Sequence, residues 1–317
     1  MYAGGPARRD FCYSAASRER VPPPLTAFAE LLVDCRCTVG EGPSWDARDG
    51  TLAWVDIVTG DVFQLTLASG ETACMRLGQQ VSAVLPRARG GFLLTLQDGV
   101  FAVDRIEQGA PLTLVAPIEL DQARSRLNDA KCDPAGRMWA GTTSRDRVPG
   151  AGSLYRLDSD LTLTRVLTGA TVSNGIGWSP DGTRMYYVDS TPRTLDVLDY
   201  DLATGEASNR RRLVDIAETV GSPDGLAVDA EGCIWLAVWG SGAVHRYAPD
   251  GALEDVVAVP TRNVASCCFG GEDLGDLFVT SASAELNARE LAADPNAGGV
   301  FRLRLGVRGL PTAAFAG

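Results

Sequence analysis

"SPDGTRMYYVDS", residues 179–190, reads as a turn running straight into a strand. Ser, Pro, Asp and Gly make the turn, and aromatic and β-branched residues follow. The phrase returns along the chain as "DARDGTLAWVDI" (46–57), "RARGGFLLTL" (87–96), "DPAGRMWAGT" (133–142), "DAEGCIWLAV" (229–238) and "GEDLGDLFVTSA" (271–282). The turn glycines Gly50, Gly91, Gly136, Gly182, Gly232 and Gly275 stand about 41 to 50 residues apart. A second phrase follows each first one, a small residue and then a short strand: "GDVFQL" (60–65), "DGVFAV" (98–103), "GSLYRL" (152–157), "TLDVLDY" (194–200), "GAVHRY" (242–247) and "GGVFRL" (298–303). Each pair of phrases is a hairpin, and helical periodicity over a domain's length is absent. A repeat of about 45 residues with several short strands is the period of a propeller blade. A β-sandwich with look-alike hairpins would not repeat both phrases in order. The expected fold is therefore all-β, a six-bladed β-propeller forming a single domain over residues 25–317. Residues 1–24, ending in "PPP", are expected to be a disordered N-terminal extension. The stretch "AELLVDCR" (29–36) is expected to join the last blade and close the ring.

Bulk properties narrow the function. The chain has 317 residues, 45% hydrophobic and 22% charged, a globular balance. Acidic residues number 40 against 29 basic ones, a formal charge of −11, which argues against nucleic acid or an anionic membrane as partner. The eight cysteines include Cys12, Cys35, Cys37, Cys74 and the vicinal Cys267 and Cys268. With no apolar leader in "MYAGGPARRDFCYSAASRER" and a chain long enough for its own core, they are expected to be free thiols of a cytoplasmic protein. No apolar run is long enough for a membrane helix. Two C-x-x-C pairs are lacking and His245 is the only histidine, so a zinc site of the usual type is not expected.

In a propeller, the loops that enter the innermost strands gather at one end of a central tunnel. Glu41 in "GEGPSW", Asn128 in "RLNDAKCDPAG", Asn174 in "SNGIGWSPDG" and Asp224 in "SPDGLAVDAEG" each stand eight or nine residues before a turn glycine. The corresponding regions of the other two blades read "VSAV" (81–84) and "SCC" (266–268). Two carboxylates and two amides without thiolate or imidazole describe a site for one hard divalent cation at the tunnel mouth. The glycines flanking Glu41 would let the backbone crowd round such an ion. Taken singly, Asn174-Gly175 and Asp224-Gly225 are ordinary turn dipeptides; their shared phase sets them apart.

The phrases "GEGPSW", "RLNDAKCDPAGRMWAGT", "SNGIGWSPDG", "SPDGLAVDAEGCIWLA", "SCCFGG" and "AGGVFRL" resemble the regucalcin (senescence marker protein) and gluconolactonase family over about residues 30–305. The resemblance implies a six-bladed propeller with one divalent cation (Ca, Zn, Mn, Mg or Fe) that hydrolyses sugar-acid lactones. It implies Glu41, Asn174 and Asp224 as metal ligands and Arg126 and Asn128 as contacts to the sugar lactone. Asp146 falls where some members have an acidic residue touching substrate, although "SRDRVPGAG" (144–152) departs from the family pattern. The cation would polarise the lactone carbonyl and lower the pKa of a water molecule, with Asp224 as general base. No G-x-S-x-G element offers a serine nucleophile, and His245 sits in a second phrase, away from the mouth. Two alternatives stay open: a metal-dependent phosphotriesterase or aryl-ester lactonase on the same scaffold, and a calcium-binding regulatory protein without turnover. The expected partner is a small sugar lactone, with no nucleic acid and no membrane, and the protein is expected to be a monomer or weak homo-oligomer.

Overall fold

The computed structural model describes residues 28–122 and 124–317. The expected N-terminal extension, residues 1–24, lies outside the described residues.

The chain is all-β. Four antiparallel sheets of four strands follow one another along residues 40–76, 81–117, 125–170 and 173–215. An eight-stranded sheet takes the rest, its two halves joined by the single pair Trp239–Asn263. The first strands are Gly40–Asp46, Val81–Pro86, Ser125–Cys132, Ser173–Trp178, Ser222–Val228 and Asn263–Gly270, and they touch one another in closed order, the last against the first. Residue type follows depth. Gly40–Asp46 and Asn263–Gly270 are buried throughout, whereas the outlying strand Glu206–Asp215, with Arg210, Arg211 and Arg212, is largely exposed. The strand Glu30–Val33 pairs antiparallel with Val300–Arg304, so the N-terminal end of the described chain completes the last group of strands, as the sequence indicated.

The recurring turn has a physical basis. Asp133 is fully buried; one carboxylate oxygen accepts from the backbone of Ala135 and Arg137, and the other accepts from Trp139 Nε1 at 3.1 Å. Asp229 repeats the pattern with Glu231, Cys233 and Trp235 Nε1. Each aspartate thus ties the turn to the indole of the strand it starts, which satisfies polar groups that burial would otherwise strand. The turn at Gly275 departs from the set: there the left-handed residues are Gly271 and Leu274.

The C-terminal segment crosses the turn ends of these first strands. Ala230 N donates to Arg308 O, Gly309 N to Leu274 O, Phe315 N to Pro86 O and Ala316 N to Gly136 O, all within 2.8–2.9 Å. Phe315 is buried to 1% exposure among Leu85, Cys132 and Met138. A cavity of about 120 Å³ remains between this segment and the polar residues Asp129 and Lys131. Among the described residues the only helix is Ala288–Ala293, capped by Asn287, and none is long and apolar enough to cross a membrane.

Candidate functional site

Each first strand carries a break in register near its start, and the polar residues of interest lie in these breaks. Register shifts between Glu41 and Ser44, Leu127 and Ala130, Ser173 and Ile176, and Pro223 and Leu226. Residues inside such a bulge are released from strict alternation, so the strand can aim an extra side chain at one face. The bulges hold or adjoin Glu41, Asn128 with Asp129, Asn174 and Asp224. In the other two strands the breaks fall at Ser82 and Ala265, where no carboxylate or amide is available.

The structure brings Glu41, Asn174 and Asp224 together. All are buried, at 7%, 5% and 7% exposure. Asn174 Nδ2 donates to an Asp224 carboxylate oxygen and, at 3.0 Å, to Ser190 Oγ. That fixes the amide and leaves Asn174 Oδ1 buried without a hydrogen-bond partner. A buried acceptor with no donor is costly unless something electropositive faces it. Glu41 Oε2 accepts from Gly42 N at 3.0 Å. Two glycines are required for different reasons: Gly42 has φ +53, which other residues rarely adopt, and a Cβ on Gly175 would come 2.5 Å from Asp224 O. These residues fit a hard cation held by two carboxylates and an amide oxygen. Among the described residues no group of three or more His, Cys, Asp and Glu is placed to hold a metal ion, so any such site must include amide or water oxygens.

Electrostatics reinforce that reading. Burial, followed by the charge of Asp129, raises the Glu41 carboxyl to about 8. Asp224 is raised well above the usual carboxylate range by burial, then by Glu41 and Asp129. Asp129 is raised by burial and drawn back by Lys131, whose Nζ donates to Leu226 O. Carboxyl groups crowded away from water cannot all ionise without a compensating positive charge. Arg126 supplies part of that charge. Burial and the nearby Arg145 and Arg147 lower its pKa to about 10, while Glu41 and Asp224 oppose the shift.

The remaining predicted residues are placed as follows. Asn128 is buried, its Nδ2 donating to Ser173 O at 2.9 Å. Asp146 is exposed and ion-paired with Arg124 rather than gathered into the buried cluster. His245 is buried on the strand Ala243–Tyr247, with Nδ1 3.2 Å from Tyr247 OH, and burial lowers it to about 4. The seven described cysteines are free; Cys12 lies outside the described residues. Sequence reasoning did not single out Asp129, Lys131, Arg145 or Arg147. The signal for the first two was present in "RLNDAKC": two charges inside a strand otherwise destined for burial.

The sequence matches the family described as the SMP-30/Gluconolactonase/LRE-like region over residues 39–283. The chain belongs to that family. It is 37% identical to regucalcin from Gallus gallus over 301 residues, 92% of this chain and all of that one. It is 35% identical to regucalcin from Homo sapiens, with 90% of this chain and 96% of that one covered. Among solved structures, a calcium-binding regucalcin from Agrobacterium tumefaciens superposes with a TM-score of 0.87 at 33% identity, covering 92% of this chain and 99% of the other. A luciferin-regenerating enzyme gives 0.85 at 32%, covering 91% and 99%. A gluconolactonase from Xanthomonas campestris shares the fold at a TM-score of 0.67 and 22% identity, covering 87% and 88%.

Proposed function

We propose that this family member is a six-bladed β-propeller, one domain over residues 25–317, that hydrolyses a sugar-acid lactone to the open-chain aldonic acid with the help of one divalent cation at the mouth of its central tunnel. The observation that carries the reading is the buried convergence of Glu41, Asn174 and Asp224, with an unpartnered amide oxygen among them and Arg126 beside them. Glu41, Asn174 and Asp224 would hold the cation. When bound, such an ion withdraws charge from the lactone carbonyl and makes a nearby water more acidic. The oxygen donors suit Ca, Mg or Mn best, with Zn and Fe as further candidates.

The chain's own residues do the rest. Asp224 takes the proton of the attacking water from its buried position beside Asn174. Asn174 donates to Asp224 and sets its orientation. Arg126 offers a rigid fork of donors to a substrate hydroxyl or to the ring oxygen. Asn128, with its nitrogen engaged by Ser173 O, presents an acceptor oxygen to a sugar hydroxyl. Asp146 reaches the substrate only by parting from Arg124, so its place is at the rim. The lactone is the partner, with the protein a monomer or weak homo-oligomer of the cytoplasm.

A calcium-binding role without turnover is the second reading. It is favoured by the description of the Agrobacterium relative as a calcium-binding protein. Against it stands Arg126, a positive charge beside Glu41 and Asp224 that opposes cation binding. The deciding experiment is a panel of aldonolactones assayed against a panel of divalent cations after chelation. Hydrolysis restored by a cation supports the enzyme; cation binding with no turnover of any lactone transfers the case to the second reading.

A further inference from the structure

We propose that Cys35 and Cys37 form a redox-active dithiol, which a hydroperoxide oxidises to an intrachain disulfide. The two sulfurs lie 3.4 Å apart, with the Cys37 thiol donating to Cys35. The backbone builds this proximity. Residues two apart in an extended strand are separated by roughly 6.5 Å along it. Arg36, between the cysteines, is left-handed at φ 51 and folds the link back on itself.

The two thiols have different access. Cys35 is half-buried, whereas Cys37 is buried to 1% exposure in the cluster with Trp54 and Phe278. The backbone of Cys37 is pinned: its N–H donates to Gly298 O at 2.9 Å, and its carbonyl accepts from Ser283 N at 3.1 Å and Ser283 Oγ at 3.0 Å. The movement that closes the bond therefore falls on Cys35, whose thiol donates only to Gly298 O, at 3.1 Å. The hydrogen bond from Cys37 draws the Cys35 thiol below its ordinary pKa against the effect of burial. Burial instead pushes Cys74, Cys132, Cys233, Cys267 and Cys268 up. Cys35 is thus the described cysteine best placed to react as a thiolate.

The chemistry balances without further groups. The Cys35 thiolate attacks one peroxide oxygen, the O–O bond breaks, and the other oxygen leaves as hydroxide, which takes up a proton to become water. Cys35 is now a sulfenic acid. Cys37 attacks its sulfur, the S–S bond forms, and the sulfenic oxygen leaves as a second water with the Cys37 proton. Two thiols have lost two electrons and the peroxide has gained them. A ring closed over three residues departs from relaxed disulfide geometry, so a dithiol reductant or glutathione should reopen it readily.

The test uses the full chain. Protein is treated with stoichiometric hydrogen peroxide, alkylated with N-ethylmaleimide under denaturing conditions, and mapped by mass spectrometry with a protease that does not cut at Arg36. In the wild type, the peptide carrying both cysteines should lose both alkyl groups and two hydrogens, and dithiothreitol should restore both sites. In Cys37→Ser, Cys35 should accumulate as a sulfenic acid trapped by dimedone. In Cys35→Ser, Cys37 should remain a thiol at the same dose. Recovery of both wild-type cysteines as alkylated thiols at a dose that oxidises Cys74 overturns the proposal. So does a disulfide from Cys35 to any cysteine other than Cys37.

Discussion

Replacing Glu41 by glutamine should stabilise the protein when divalent cations are removed. Burial and Asp129 hold this carboxyl at about 8 against an ordinary 4.5. An acid whose pKa is raised by folding favours the folded state while protonated. Its contribution is complete below pH 4.5, declines as pH rises, and levels off above about 8. The decline is about 1.4 kcal/mol per pH unit, so at pH 7 the metal-free fold has lost about 3 kcal/mol relative to pH 4.5. A glutamine amide at this position has no proton to lose and leaves the shape of the site intact. Glu41→Gln should therefore match the wild type near pH 4.5 and exceed it by about 3 kcal/mol at pH 7, on the order of 5–10 °C in Tm. Denaturant titrations in chelator at both pH values give the comparison. A saturating divalent cation should reverse the order, because the wild type then gains binding free energy that the variant has largely forfeited. Equal stability of the two chelated proteins at both pH values, or a less stable variant at pH 7, would refute the picture of a buried carboxyl that the metal-free fold keeps protonated.

Four further outcomes are expected. Arg126→Ala should lower kcat/KM on the best aldonolactone by roughly ten- to a hundredfold while cation affinity holds or improves; unchanged turnover would remove Arg126 from the substrate site. Asp224→Ala should abolish hydrolysis and weaken cation binding in calorimetry, and residual activity in chelator would count against the metal-assisted route. Phe315→Ala should cost about 3–5 kcal/mol in denaturant unfolding, since it removes the fully buried ring by which the C-terminal segment packs into the core; a loss below about 1 kcal/mol would show that the segment does not hold the fold. His245→Gln should leave the pH–rate profile unmoved, because burial lowers this imidazole to about 4 and it lies among strand contacts; a shifted limb near neutrality would place it in the chemistry.

The strand-and-turn repeat was legible because it is local. Asp133 and Asp229 bond to backbone two and four residues on and to the tryptophan six residues on, so sequence spacing alone carries the turn. The all-β architecture and the closing strand Glu30–Val33 followed from the same pattern. The shared phase of Glu41, Asn128, Asn174 and Asp224 could be read for the same reason, since each stands at a near-constant offset from a turn glycine. Other features depend on what lies across space. The amide orientation of Asn174 is set by Ser190 and by Asp224, fifty residues away, and with the nitrogen so engaged its oxygen is left unpartnered. Asp129 and Lys131 look like any charged pair in "NDAKC" until the strand is placed inside a ring of first strands, which draws both away from bulk water. The family resemblance placed Asp146 at the substrate, whereas its exposed ion pair with Arg124 is set by how two loops meet and could not be read from the sequence. The Cys35–Cys37 contact turns on one left-handed residue, Arg36, a conformation that β-carbon sterics disfavour and that surrounding contacts impose. Short-range hydrogen bonds recur with the sequence and can be counted along it; burial, charge coupling and backbone strain arise between segments and exist only once the sheets have closed.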